Sequence, residues 1–246
     1  MDAVTQFQRE VADQICAQGR DADLHALTRV WLREITPYKY HYHFTWLGRP
    51  IIQLPQDVLA VQELIWRVQP DFIIETGVAH GGSLMLSASI LSLLGGDRRV
   101  LGIDVEVRPH NRHLIEAHSL SPHIDLLEGS SIDPIVFRQV RQAAAGRNRV
   151  MVLLDSCHTH EHVLRELELY STLVGQGSYL IVFDTLIELM PDRFFADRPW
   201  GQGNNPLTAV RQFVQANDRF EVDRELTNKL LITAAPDGYL KCVKDS

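Results

Sequence analysis

From Pro70 onward, short apolar runs alternate with stretches of helical character. Phe72-Ile73-Ile74-Glu75, Val100-Leu101-Gly102-Ile103-Asp104, Ile124-Asp125-Leu126-Leu127-Glu128, Val150-Met151-Val152-Leu153-Leu154-Asp155 and residues 178–184 read as strands buried on both faces. Between them, Ser83 to Leu94, Asn111 to Ala117, Pro134 to Ala144 and His160 to Leu173 read as helices, the first stopped by Gly95-Gly96. A further helix follows from Thr208 to Ala216, and Phe220-Glu221-Val222 with Leu230-Leu231-Ile232-Thr233 are expected to close the sheet as an antiparallel pair. This alternation predicts an α/β chain with a Rossmann-like doubly wound sheet, mostly parallel, ending in an antiparallel strand.

Upstream the period changes. Val4, Phe7, Val11 and Ile15 form one helical stripe, and Leu24, Leu27, Val30 and Leu32 a second. Then comes the aromatic run Tyr38-Lys39-Tyr40-His41-Tyr42-His43-Phe44-Thr45-Trp46. Pro37, Gly48, Pro50 and Pro55 punctuate it, which predicts loop or irregular extended chain. Asp57 to Val68 is helical again. Residues 1–56 are thus expected to form an N-terminal helical and aromatic extension, and 57–246 one compact domain.

Composition narrows the classes. The 246 residues suit one domain, and 45% apolar with 22% charged residues is ordinary for a globular chain. A net charge of −7 gives no field that attracts polyphosphate, so no nucleic-acid partner is expected. No apolar run is long enough to span a bilayer, and Met1-Asp2-Ala3-Val4-Thr5-Gln6 lacks a secretory signal's basic start. Cys16, Cys157 and Cys242 are scattered and odd in number, as free thiols of a reducing cytoplasm are, so a cytoplasmic location is expected.

Candidate chemistry sits at the strand tips. Glu75-Thr76-Gly77-Val78-Ala79-His80-Gly81-Gly82-Ser83 is a glycine-rich turn between a strand and a helix, where a ligand can approach the backbone. The glycine spacing is not that of a dinucleotide fingerprint, and no P-loop string occurs. Glu75 can accept from an ammonium or hold the loop. Asp104, ending the second strand, can accept from both hydroxyls of a ribose. Glu128-Gly129-Ser130-Ser131-Ile132-Asp133 offers a tight turn against which a flat adenine can stack. The plainer reading is that each of these features only shapes a turn or caps a helix; their order along successive strands favours a nucleoside-bearing cofactor.

The string Asp71-Phe72-Ile73-Ile74-Glu75 through Gly81-Gly82-Ser83, with Leu154-Asp155-Ser156-Cys157-His158-Thr159-His160-Glu161-His162, resembles the cephalosporin hydroxylase-like family. That family includes rhamnosyl O-methyltransferases and is similar to small-molecule methyltransferases of the catechol O-methyltransferase type. The resemblance covers roughly residues 45–235. It implies a methyltransferase sheet, S-adenosylmethionine as donor, often a divalent metal such as magnesium near the acceptor, and O-methylation of a small natural product, with a sugar favoured. Glu75, Gly77 and Ser83 then match the cofactor loop, Asp104 the ribose-binding acid, and Gly129, Ser130, Ser131 and Ile132 the adenine turn. Asp155 matches an aspartate that ligates metal and closes the methionine end, and Asp184 a second metal ligand. Phe183 stands beside Asp184 where relatives often carry a third oxygen ligand, which leaves Thr185, Glu188 or Asn205 to substitute.

Methyl transfer needs an aligned acceptor and a group to remove its proton. Asp155 and Asp184 end adjacent strands and can share a hard cation or orient the acceptor. His158, three residues past Asp155, occupies the place where catechol-type enzymes carry their base. A free imidazole titrates near ~6.5 and suits that role. The alternatives for His158 are a helix-capping histidine or a metal ligand. His158-Thr159-His160-Glu161-His162 also fits the bare H-x-x-E-H protease pattern, but it begins at a strand end instead of within a helix. His160 and His162 read as helix-face or pocket-wall residues. The aromatic run 38–46 is a candidate lid or an interface with the core or another subunit, so a homo-oligomer stays open. The loop Met190 to Asn205, with Trp200, is a candidate acceptor cover. Two competing functions remain: a metal-dependent oxygenase using His158, His160 and His162, and a non-catalytic donor-binding subunit.

Overall fold

A computed structural model describes residues 2–245. Met1, which opens the expected N-terminal helix, and Ser246, which ends the expected compact domain, lie outside the described residues. The chain starts with α1 (Ala3–Gln18) and α2 (Ala22–Ile35), each begun by an aspartate whose side chain accepts a first-turn amide: Asp2 from Thr5 and Asp21 from Leu24. The two predicted stripes are therefore two helices, parted at Gly19. No residue of α1 is buried, and α2 buries only Leu32. Leu27 and Val30 of the predicted second stripe face solvent.

The aromatic run is more regular than expected. Single 3₁₀ turns at Thr36–Tyr38 and Tyr40–Tyr42 lead into a hairpin of β1 (Phe44–Trp46) and β2 (Arg49–Ile51). Its two-residue turn, Leu47-Gly48, has φ values of 45° and 84°, the double left-handed bend that matches strand twist. A leucine in that bend and a proline in β2 hide the hairpin from sequence signals.

Next come α3 (Pro55–Val68), β3 (Phe72–Thr76), α4 (Gly82–Leu94), β4 (Arg99–Asp104), α5 (Pro109–Glu116), β5 (Ile124–Glu128), α6 (Pro134–Ala144), β6 (Val150–Leu154), α7 (His160–Tyr170) and β7 (Tyr179–Val182). Then follow α8 (Pro206–Ala216), β8 (Phe220–Val222), α9 (Arg224–Leu230) and β9 (Tyr239–Cys242). Seven strands make one sheet in the order β5-β4-β3-β6-β7-β9-β8. The five from β5 to β7 are parallel, and β9 runs antiparallel to both neighbours. The doubly wound α/β fold is as predicted.

One predicted strand is corrected. Leu230–Thr233 is the end of α9 and the bend after it, with Leu231 at φ 56°, because Asp223 caps a helix there. The closing strand is Tyr239–Cys242, after the turn Pro236-Asp237-Gly238.

Alternation along the strands splits the core in two. Ile73, Leu153 and Ile181 face α3 and α4, while Phe72, Ile74, Val152 and Leu180 face α6, α7 and α8. Removing a side chain such as Ile74, fully buried, is expected to cost about 2–5 kcal/mol. The order reverses between β3 and β6, and a crevice opens at their carboxyl ends. Among the described residues no helix is long and apolar enough to cross a membrane.

Candidate active site

The loop after β3 is the floor of that crevice. Gly77 has φ +90°, and a Cβ there would lie 2.0 Å from the Asp155 carbonyl oxygen, so only glycine lets the tips of β3 and β6 meet. The Val78 and Ala79 amides donate to Asp104 Oδ2 at 2.8 and 3.3 Å. The loop's carbonyls point the other way. Ala79 accepts from Asn111 Nδ2 at 2.9 Å, and His80 accepts from Arg49 Nε and Nη2 at 2.9 and 2.6 Å. Gly82 then opens α4 against the Pro50 carbonyl.

Glu75 lies beneath this loop, fully buried, and accepts from the Ser83 hydroxyl. Its other carboxyl oxygen has no partner among the described residues. Burial pushes its carboxyl up to about 7. Ser83 and Gly77 line the crevice; Glu75 supports them from behind.

A cavity of about 250 Å³ at the strand tips is lined by Gly77, Ser83, Asp104, Asp155, His158 and Asp184, together with His41, Tyr42 and Gln53 from the N-terminal side. A second, about 130 Å³, is lined by Gly129, Ser131, Cys157 and His162 and shares Gly77, Asp104 and Ser156 with the first, so the two form one elongated crevice. Of the expected adenine turn, Gly129 and Ser131 line it. Ile132 faces a separate surface depression, and Ser130 lines neither cavity.

Asp155, His158 and Asp184 converge at the other end, each offering one donor atom within 4.8 Å of the others. His158 Nε2 lies 3.1 Å from Asp184 Oδ2. The Trp200 ring meets the imidazole edge-on, with centroids 4.8 Å apart, so the loop 190–205 covers His158. Burial, with Asp184, Glu75 and Glu166 nearby, holds the Asp155 carboxyl well above the ordinary carboxylate range. Two carboxylates and an imidazole around such a like-charged knot suit a divalent cation.

Asp184 adopts a left-handed backbone, φ 56°, held from both sides. The Leu186 amide donates to the Ala234 carbonyl, and buried Asp57 accepts from the Ala234 amide and from the Thr233 and Tyr239 hydroxyls. Thr185 is corrected as a metal ligand: it is fully buried, does not line the cavity, and its hydroxyl donates to the Pro236 carbonyl at 2.6 Å. Glu188 and Asn205 are bonded to each other and brace the 190–205 loop. Beside Asp184, buried Phe183 offers no oxygen, and His158 is the third donor that approaches the two aspartates.

The three histidines do not converge. His160 is bonded to Thr208 and Gln212 at the α7–α8 contact, while His162 approaches Ser131 and Ser156 at 3.1 and 3.2 Å. That removes the geometric basis of the oxygenase alternative, and α7 begins only at His160, so the protease pattern is not helical. Sequence reasoning missed Arg49, Asn111 and Gln53, which carry no motif and reach the site only through the hairpin and α5.

The family described as "Rhamnosyl O-methyltransferase/CmcI" matches residues 38–243. The chain belongs to this family. It is 30% identical over 204 residues to a rhamnosyl O-methyltransferase of Mycobacterium tuberculosis, covering 80% of this chain and 77% of that protein. It is 26% identical over 200 residues to one of Mycobacterium leprae, covering 80% and 82%. A solved CmcI structure with Mg and SAM shares the fold at 19% identity and TM-score 0.56, over 82% of this chain and 77% of that one. Membership in the rhamnosyl O-methyltransferase/CmcI family makes this chain a methyltransferase.

Proposed function

We propose that this family member methylates a hydroxyl of a sugar on a small natural product, with S-adenosylmethionine as donor and His158 as general base. The convergence of Asp155, His158 and Asp184 at one end of an elongated crevice carries the reading. In it, the smaller cavity takes adenine against Gly129 and Ser131, Asp104 takes the ribose, and Gly77 and Ser83 border the methionine end. When bound, the donor supplies a methyl group already activated on a sulfonium. The chain must therefore align the acceptor and hold its proton.

His158 is arranged for the second task. Its Nε2 lies 3.1 Å from Asp184 Oδ2, so the carboxylate stabilises the imidazolium that forms when the ring takes the acceptor's proton. Trp200 against the ring limits its rotation and keeps water away. Asp155 and Asp184 would hold a divalent cation, which supplies Lewis acidity toward the acceptor hydroxyl. Asp155, walled in at the β6 tip, orients the acceptor oxygen. Asp184 and Glu75 both disfavour charge on Asp155, a repulsion that a bound cation would offset.

Calorimetry with S-adenosylmethionine and with NAD, with and without magnesium, tests the donor. Affinity in the micromolar range for the first and none for the second is expected. With a rhamnoside acceptor, His158→Ala should lower kcat by about 10²–10⁴, and Asp155→Asn should also impair turnover. Unchanged turnover in both variants would sink the mechanism.

A further inference from the structure

Arg49 is the one basic side chain buried among the described residues, 7% exposed. Buried arginines ordinarily face a carboxylate, because an uncompensated charge away from water is costly. Among the described residues its hydrogen bonds go to neutral oxygens alone: the His80 carbonyl accepts from Nε and Nη2, and Asn111 Oδ1 accepts from Nη2 at 2.9 Å. The same Asn111 donates to the Ala79 carbonyl at 2.9 Å. Arg49 and Asn111 thus hold two successive carbonyls of the glycine loop on the side away from Asp104, while the Val78 and Ala79 amides point toward it. Ala79, a non-glycine residue at φ 43°, needs such restraint.

The position is also electrically specific. Pro50, next to Arg49, and His80, which it grips, both line the same cavity as Ser83. This is the end where the proposed donor's aminobutyrate lies, and that group carries a carboxylate. Among the described residues no lysine or arginine lines this cavity; Arg49 lies directly behind its wall, gripping His80, and its fork cannot deprotonate. Resting on the donor reading above, we propose that Arg49 is a positioning and specificity-determining residue: it fixes the loop and supplies the charge that favours a carboxylate-bearing donor.

The test is calorimetric and needs no turnover. S-adenosylmethionine, its decarboxylated analogue and 5′-methylthioadenosine, which lacks the whole aminobutyrate, are titrated into the wild-type chain, Arg49→Met and Arg49→Lys. The wild type should prefer S-adenosylmethionine over the decarboxylated analogue by about tenfold or more. Arg49→Met should lose that preference yet bind methylthioadenosine as the wild type does. Arg49→Lys, which keeps charge without the fork, should retain part of it. The role is overturned if the preference survives in Arg49→Met, or if methylthioadenosine weakens in step, which marks collapse of the loop alone. Should Arg49→Met not fold, a wild type indifferent to the carboxylate, or an Arg49→Lys chain with no preference, overturns it equally. A wild type that binds none of the three removes the donor reading itself.

Discussion

Glu75 sits fully buried at the end of β3, one oxygen accepting from Ser83 and the other without a partner among the described residues. Its carboxyl lies at about 7 against an ordinary 4.5, because burial disfavours the charged form. The folded chain therefore holds this proton in a range where the unfolded chain has released it. The contribution to stability is full below 4.5 and is lost as pH rises toward 7, a gap worth up to about 3 kcal/mol. Asp57, raised to about 6 by burial, acts in the same direction. Glu75→Gln keeps the acceptor for Ser83 and removes the titration. Urea unfolding at a series of pH values should show the variant gaining on the wild type between pH 4.5 and 7. A difference that stays constant across that range would place Glu75's proton elsewhere.

Among the elements, the hairpin β1–β2 does most to shape the site, since it brings Arg49 to the loop and docks against α4 through Gly82. A Cβ at Gly82 would fall 2.2 Å from the Pro50 carbonyl oxygen, backbone against backbone, so neither side can yield cheaply. Gly146 is the control: it has φ +79° but open space around it. Gly146→Ala should cost about 1–2 kcal/mol from the left-handed conformation alone. Gly82→Ala should cost more, about 2–4 kcal/mol, and weaken donor binding as well. Equal losses, or intact donor affinity in Gly82→Ala, would mean that the hairpin's docking does not shape the loop. The same elements mark where sequence was legible. β3, β4, β5, β6 and β7 announce themselves as apolar runs between helices, and Gly77, Asp104, Asp155, His158 and Asp184 could be placed because each lies at or just past a strand tip. The hairpin carries no such pattern: its strands have three residues each and its turn holds a leucine. The apolar Leu230–Thr233 segment mimicked a strand that lies instead at Tyr239–Cys242. Thr185 was misjudged because nothing in a sequence says which way a side chain turns after Asp184.

At the scale of the whole molecule, the crevice joins both halves of the sheet. Asp104, Gly129 and Ser131 come from the β4 and β5 side of the switch, Asp155, His158 and Asp184 from the β6 and β7 side, and Gly77 from β3 between them. A ligand spanning it must stabilise the folded chain as a unit, by about 2.7 kcal/mol at a concentration one hundred times its Kd. It should also slow hydrogen exchange at the loop 77–83, after β4, and in the turns after β5 and β6 together. The helices α1 and α2 contribute no lining residue to either cavity, and α1 buries no residue. Their amides should exchange at the same rate with and without S-adenosylmethionine. Protection confined to one side of β3 would mean that the bound molecule occupies only one of the two cavities, and that the crevice is not a single donor site.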